Sequence, residues 1–128
     1  MAEPIGRIEV FALDCTDPRG LACFYEALLG GTIVEHPSGG WAELHTDDAK
    51  IGFQRIDGHQ PPTWPEGDTP QQAHLDILVD DLDVAEEKAM ERGAVKASTQ
   101  PNPNSFRVFI DPAGHPFCIV RPWTEQVS

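Results

Sequence analysis

The sequence is short of positive charge. Against 21 acidic residues it sets 9 lysines and arginines, a formal net charge of −12. Such a chain repels phosphate backbones and anionic membrane surfaces, so nucleic acid and lipid are poor partners for it. The charge suits a neutral or cationic ligand, or serves solubility alone. Cysteine is also scarce. Cys15, Cys23 and Cys118 form an odd, widely spaced set, which argues against a disulfide framework and for a reducing compartment. No apolar run approaches the roughly twenty residues of a membrane span, and Met1 to Arg7 carries no signal-peptide pattern. The expectation is a cytoplasmic protein. What is present is ordinary globular composition: 128 residues, 40% hydrophobic and 23% charged, enough for one domain over 1–128.

The chain contains the same pattern twice. Ile8–Leu13 reads as an apolar strand. Asp17-Pro18 then reads as an N-cap with proline in the first turn, before helical spacing of Leu21, Phe24, Leu28 and Leu29. Gly30-Gly31 stops that helix, and strands follow at Thr32–Glu35, Trp41–Thr46 and Lys50–Ile56. In the second half, His74–Val79 is a strand, Asp81 a cap, and Leu82–Arg92 a helix with Leu82, Ala85, Ala89 and Met90 on one side. Strands at Ala94–Ala97, Phe106–Ile110 and Pro116–Val120 complete it. Asp17 and Asp81, Asp47 and Asp111, and Phe53 and Phe117 each stand 64 residues apart. The expected fold class is α+β: two tandem βαβββ modules, about 7–57 and 73–122, joined by a proline-rich connector at about 58–72.

Alternation along the strands sorts the side chains into two faces. The apolar face of each sheet should cover its helix. Leu75, Ile77, Phe117 and Ile119 fit the helix side, which turns His74, Asp76 and Cys118 the other way. Ala42 and Leu44 likewise turn Trp41, Glu43 and His45 outward. Assigning Phe106, Val108 and Ile110 to the helix sends Arg107 and Phe109 to the open face. With Gln54, these residues form a mixed aromatic and polar surface of the kind that lines small-molecule pockets. The same pattern also describes a solvated sheet face, and a one-residue slip would invert it. Glu43 and Arg107 are expected to pair with each other, or to orient a polar ligand. Trp64, in the connector, either closes over the pocket or packs on a sheet edge. Cys15 and Cys23 are expected to pack between strand and helix.

Asp17-Pro18 with Phe24-Tyr25 and Leu28-Leu29-Gly30 resembles a known family. So do His74-Leu75-Asp76 with Val79-Asp80-Asp81-Leu82, the run Asp111-Pro112-Ala113-Gly114-His115-Pro116-Phe117, and the connector Pro61-Pro62-Thr63-Trp64-Pro65. These motifs are similar to the glyoxalase, bleomycin-resistance and extradiol-dioxygenase (vicinal oxygen chelate) superfamily, and the likeness spans about residues 7–122. It implies two modules forming a concave mixed sheet. It does not choose among the lyases, epimerases, dioxygenases and drug-binding proteins that share that fold. Metal-using members take ligands from the first and last strands of each module. Carried here, those positions are Val10, Gln54, His74 and Cys118. Val10 has no donor atom, and one His, one Gln and one Cys make a poor set for an oxygen-polarising ion.

The sequence therefore leads to a small-molecule binding protein with no cofactor. An aromatic or antibiotic-like ligand would lie among Trp41, Phe109 and Trp64, oriented by Glu43, Gln54, His74, Asp76, Arg107 and Cys118. The alternative is a lyase, isomerase or dioxygenase with zinc or iron on Gln54, His74 and Cys118, or with His74 as a metal-free catalytic base. A ligand-free accessory domain is a third reading. Homodimerisation is expected from the resemblance alone.

Overall fold

A computed structural model describes residues 3–122. The chain divides into two compact units, Met1–His59 and Gln60–Ser128. The first contains β1 (Phe11–Cys15), α1 (Pro18–Leu29), β2 (Thr32–Glu35), β3 (Trp41–His45) and β4 (Lys50–Arg55). Its sheet has the order β1-β4-β3-β2, with β1 parallel to β4 and the other pairs antiparallel. The second contains β5 (Leu75–Leu78), α2 (Leu82–Glu91), β6 (Val95–Lys96), β7 (Phe106–Ile110) and β8 (Pro116–Val120). It repeats the order as β5-β8-β7-β6, again with one parallel pair. The duplicated α+β architecture expected from the sequence is present.

Both helices begin where the aspartates stand. The Asp17 carboxylate accepts from Gly20 N at 3.0 Å and that of Asp81 from Val84 N at 3.1 Å, satisfying N–H groups that have no partner inside the helix. Pro18 fills the first turn, where an N–H is dispensable, and Gly30 ends α1 at φ +73°. In the first unit, Leu21, Phe24 and Tyr25 of α1 are buried, as are Ala42, Leu44, Ile51 and Phe53 of the sheet. The Tyr25 and Phe53 rings stack at 5.9 Å. In the second unit, Leu82 and Ala89 of α2 are buried along with Phe109, Phe117 and Ile119. Each large apolar side chain taken from water contributes about 1.5–3 kcal/mol, which makes these facing rings the main support of their units.

The elements depart from expectation where a partner is missing. β1 begins at Phe11 rather than Ile8 because its parallel ladder starts with Phe11 opposite Ile51, near the point where β4 itself begins. Met90 and Cys23 are exposed, so α2 buries a narrower stripe than its sequence suggests and only Cys15 of the early cysteine pair is a core residue.

The run Asp111-Pro112-Ala113-Gly114 is a turn organised by one buried carboxylate. Asp111 Oδ1 accepts from both Ala113 N and His115 N at 2.9 Å. Gly114, at φ +88°, lies so close to Pro61 that a Cβ there would collide with the proline ring. This seats the start of the connector against the β7–β8 turn. The connector is itself pinned, since Thr69 N donates to Thr63 Oγ1 and Thr63 forms a bridge with Pro70.

Candidate functional site

The second unit holds a cavity of about 570 Å³. Its floor is the face of the β5-β8-β7 sheet turned away from α2. Pro116, Cys118 and Val120 of β8, and Phe106 and Val108 of β7, point into it. The pairing explains why these five share a face: Val108 stands opposite Cys118, Phe106 opposite Val120 and Ile110 opposite Pro116. His74 and Asp76 enter from β5, and Trp64 and Gln71 from the connector, whose tryptophan is thus a cavity wall.

The polar groups converge on one corner. His74 Nε2 lies 3.0 Å from Asp76 Oδ1, within ion-pair distance. Asp76 stands directly opposite Cys118 in the ladder. Burial, followed by the charge of Asp76 and a hydrogen bond to it, pushes the Cys118 thiol up to about 12. The thiol is therefore a neutral donor, not a ready nucleophile. Gln71 Oε1 is buried with no hydrogen-bond partner among the described residues.

Two expected site residues lie elsewhere. Arg107 and Phe109 face α2. Arg107 Nη1 sits 2.8 Å from Asp83 and 3.5 Å from Glu86 of that helix, and Phe109 is fully buried with its ring stacked on Phe117. The expected Glu43–Arg107 pair is replaced by these contacts. The cause is register. Trp41 is opposite Gln54 and Val108 opposite Cys118, so β7 matches β3 at an offset of 67 residues (108 − 41) although β8 matches β4 at 64 (118 − 54). A displacement of three is odd, and an odd displacement exchanges the two faces of a strand. The loop before β7 is fixed in this position by Gln100. Its amide donates to Val108 O and accepts from Val108 N, both at 2.9 Å, as a neighbouring strand would. The first strands are also displaced, by two residues: Asp14 is opposite Gln54 as Asp76 is opposite Cys118. An even displacement keeps the face, so His74 and Asp76 stay on the open side as expected.

In the first unit, Trp41, Glu43 and His45 do share the face opposite α1, and they bond to one another. Trp41 Nε1 donates to Glu43 Oε2 at 2.8 Å, and His45 Nε2 lies 2.7 Å from Glu43 Oε1. The Trp41 N–H, then His45, hold the Glu43 carboxyl below the ordinary carboxylate range. The indole lies over Gly52, where only a missing side chain leaves room. Gln54 is exposed on the adjoining strand, opposite Trp41. Trp41, Glu43 and Gln54, three of the expected ligand contacts, thus belong to the first unit, while Trp64, His74, Asp76 and Cys118 are brought together around the cavity of the second.

Phe106, Val108 and Gln71 escaped sequence reasoning. The first two were hidden by the odd displacement. Gln71 sits in a polar connector where pattern carries no information about direction.

The metal-using proteins that the sequence resembles would place an ion among these strands. Among the described residues, His74, Asp76 and Cys118 form a cluster with donor atoms all within 4.8 Å of one another. The residue types suit zinc. His74 Nε2 also lies 3.0 Å from Asp76 Oδ1, and the thiol, neutral without an ion, would have to give up its proton to bind one. Gln54, the third expected ligand, is not in the cluster; Asp76 stands in its place.

A family model described as a glyoxalase-like domain matches residues 10–120. No curated protein is matched by the sequence. Solved structures share the fold at low identity. A fosfomycin resistance protein from Mesorhizobium loti is 14% identical, with TM-score 0.69, covering 97% of this chain and 98% of its own. An antibiotic-binding protein from a Streptomyces species is 22% identical, with TM-score 0.60 and coverages of 94% and 99%. A lactoylglutathione lyase from Agrobacterium tumefaciens is 17% identical, with TM-score 0.64 and coverages of 94% and 96%. Among the described residues no helix is long and apolar enough to cross a membrane.

Proposed function

The chain belongs to the glyoxalase-like domain family, and we propose that its second unit is a receptor for a flat, mainly apolar small molecule, an aromatic or antibiotic-like compound held without a resident catalytic metal. The observation that carries this is the cavity of about 570 Å³, walled by Trp64, Phe106, Val108 and several prolines, with its polar groups gathered at one end. That volume lies within the range of small-molecule sites, and such a distribution of walls and anchors is how they combine affinity with orientation. A ring between Trp64 and Phe106 would gain about 0.5–1.5 kcal/mol per aromatic contact beyond its buried area. The first unit offers an internal precedent: the Val108 position is occupied there by Trp41, whose own indole covers the sheet. An antibiotic-binding relative of the same fold makes sequestration a natural role.

The test is fluorescence of Trp64 against a panel of aromatic natural products, repeated in Trp64→Phe. A saturable change lost in the variant supports the receptor. A panel in which no compound alters the signal sinks it. Near-stoichiometric zinc or iron in protein purified without chelator would overturn the metal-free part.

One observation favours a second reading, an isomerase- or lyase-like enzyme. His74 stands beside the cavity with the Asp76 carboxylate 3.0 Å from its Nε2, the two groups that a general base and a supporting carboxylate would need. His74→Ala would then abolish turnover, whereas in a receptor it only weakens binding. Two further parts of the proposal are a homodimer, checked by light scattering, and a cytoplasmic location, which the three free cysteines suit.

A further inference from the structure

The cavity wall is unevenly supplied with hydrogen-bonding groups, and what it lacks defines its occupant. Asp76 carries a carboxylate with about four lone-pair sites. The Cys118 thiol uses one of them, the His74 ring lies 3.0 Å away, and the rest are turned to an open, half-exposed surface. Gln71 adds a second acceptor, an amide oxygen buried in the wall with no partner among the described residues. Buried acceptors in folded proteins are nearly always satisfied, so a lone one on a residue of the cavity wall is an acceptor at hand for a ligand N–H. On the donor side, Arg121 also lines the cavity, but it is exposed and engaged in an interaction of its own. Around all of this the chain carries a net charge of −12, whose field draws cations inward.

Building on the receptor reading, we propose that the ligand is a planar cation, a fused or conjugated aromatic bearing a protonated amine or amidine nitrogen. Its ring lies against Trp64 and Phe106, and its N–H groups are taken by the Asp76 carboxylate and the Gln71 amide oxygen. The apolar walls supply area for the ring. The two acceptors, one charged and one neutral, fix its direction and reject an anionic analogue of equal shape, which would set like charges against each other.

Three ring-matched probes separate this from a merely sticky pocket: 9-aminoacridine as the cation, acridine as the neutral form and acridine-9-carboxylate as the anion. Each is titrated into the full chain at pH 7.5 and 150 mM salt by calorimetry. The expected result is a preference of about tenfold or more for the cation over both others, from one charge-assisted contact. Asp76→Asn should reduce the cation's affinity to near that of acridine, and Gln71→Leu should reduce it several-fold, with thermal melting unchanged. Either variant suffices if the other fails to fold. Equal affinities, or preference for the anion, overturn the assignment of charge and leave the receptor standing. A cation preference that survives both substitutions overturns it too, since it then comes from the general surface field. Binding of none of the three probes counts against the receptor itself.

Discussion

The indole of Trp41 packs close to the backbone of Gly52: a Cβ at position 52 would sit 2.5 Å from two of its ring carbons, and 3.1 Å from a methyl of Val10. Position 52 is central in the sheet, between Ala12 and Glu43. Nothing about its backbone calls for glycine; the ring does. Gly52→Ala must therefore displace the indole or bend the sheet, at a cost of about 1–3 kcal/mol. Urea denaturation with tryptophan emission as the probe should show both the lower midpoint and a shifted native spectrum. An alanine variant as stable as its parent would mean the ring has another place to go.

Glu43 depends on that same ring. Its carboxyl is held below the ordinary value of 4.5, first by the Trp41 N–H and then by His45. Since the folded value is the lower one, whatever stability the ionised group confers is complete above 4.5 and is lost as pH falls through the folded value. In a Trp64→Phe, Trp123→Phe background, the emission of Trp41 should titrate below pH 4.5, and Glu43→Gln should remove that step. A transition at or above 4.5 would contradict the bonding.

Cys118 and Cys23 should react very differently. The Cys118 thiol, raised to about 12, carries almost no thiolate at pH 8, whereas Cys23 is exposed. Iodoacetamide followed by peptide mass mapping should modify Cys23 first and leave Cys118 largely untouched. The same shift has a thermodynamic face. The thiol's ordinary value is 9.0. Above it the unfolded chain releases a proton that the folded one retains, so stability declines as pH rises from 9 towards 12. Cys118→Ala should flatten that decline.

Asp111 is the buried charge that shapes the β7–β8 turn. Removing its carboxylate in Asp111→Ala leaves two backbone N–H groups without the acceptor they now share. The expected loss is about 2–4 kcal/mol in chemical denaturation. The connector should loosen with it, because Gly114 seats Pro61 on that turn. Faster amide exchange around Thr63 and Thr69 would report this.

Much of the fold was legible because its signals are local. Asp17 and Asp81 announce helix starts through their own side chains, and β2, β7 and β8 have the residue ranges their apolar patterns suggest. The open face of β3 was legible for the same reason: Ala42 and Leu44 can only be core. β7 was not. Phe106, Val108 and Ile110 are as apolar as Phe109, so alternation alone does not orient it, and a repeat taken as rigid supplied the wrong face. What decides the matter is Arg107, whose partners Asp83 and Glu86 lie on α2. Such a long-range pairing of charges has no signature in composition. The role of Gln71 was equally unreadable, since the direction of a connector side chain depends on a loop closed by Thr63 and Pro70.

The odd displacement of β7 has a consequence for how such a protein diversifies. Lengthening or shortening a surface segment by one or three residues re-addresses all five side chains of the strand together. It exchanges what greets a visiting molecule for what grips the helix, with no substitution inside the hollow. Variation in the length of the segment anchored by Gln100 is therefore a lever on selectivity beside mutation of the walls themselves.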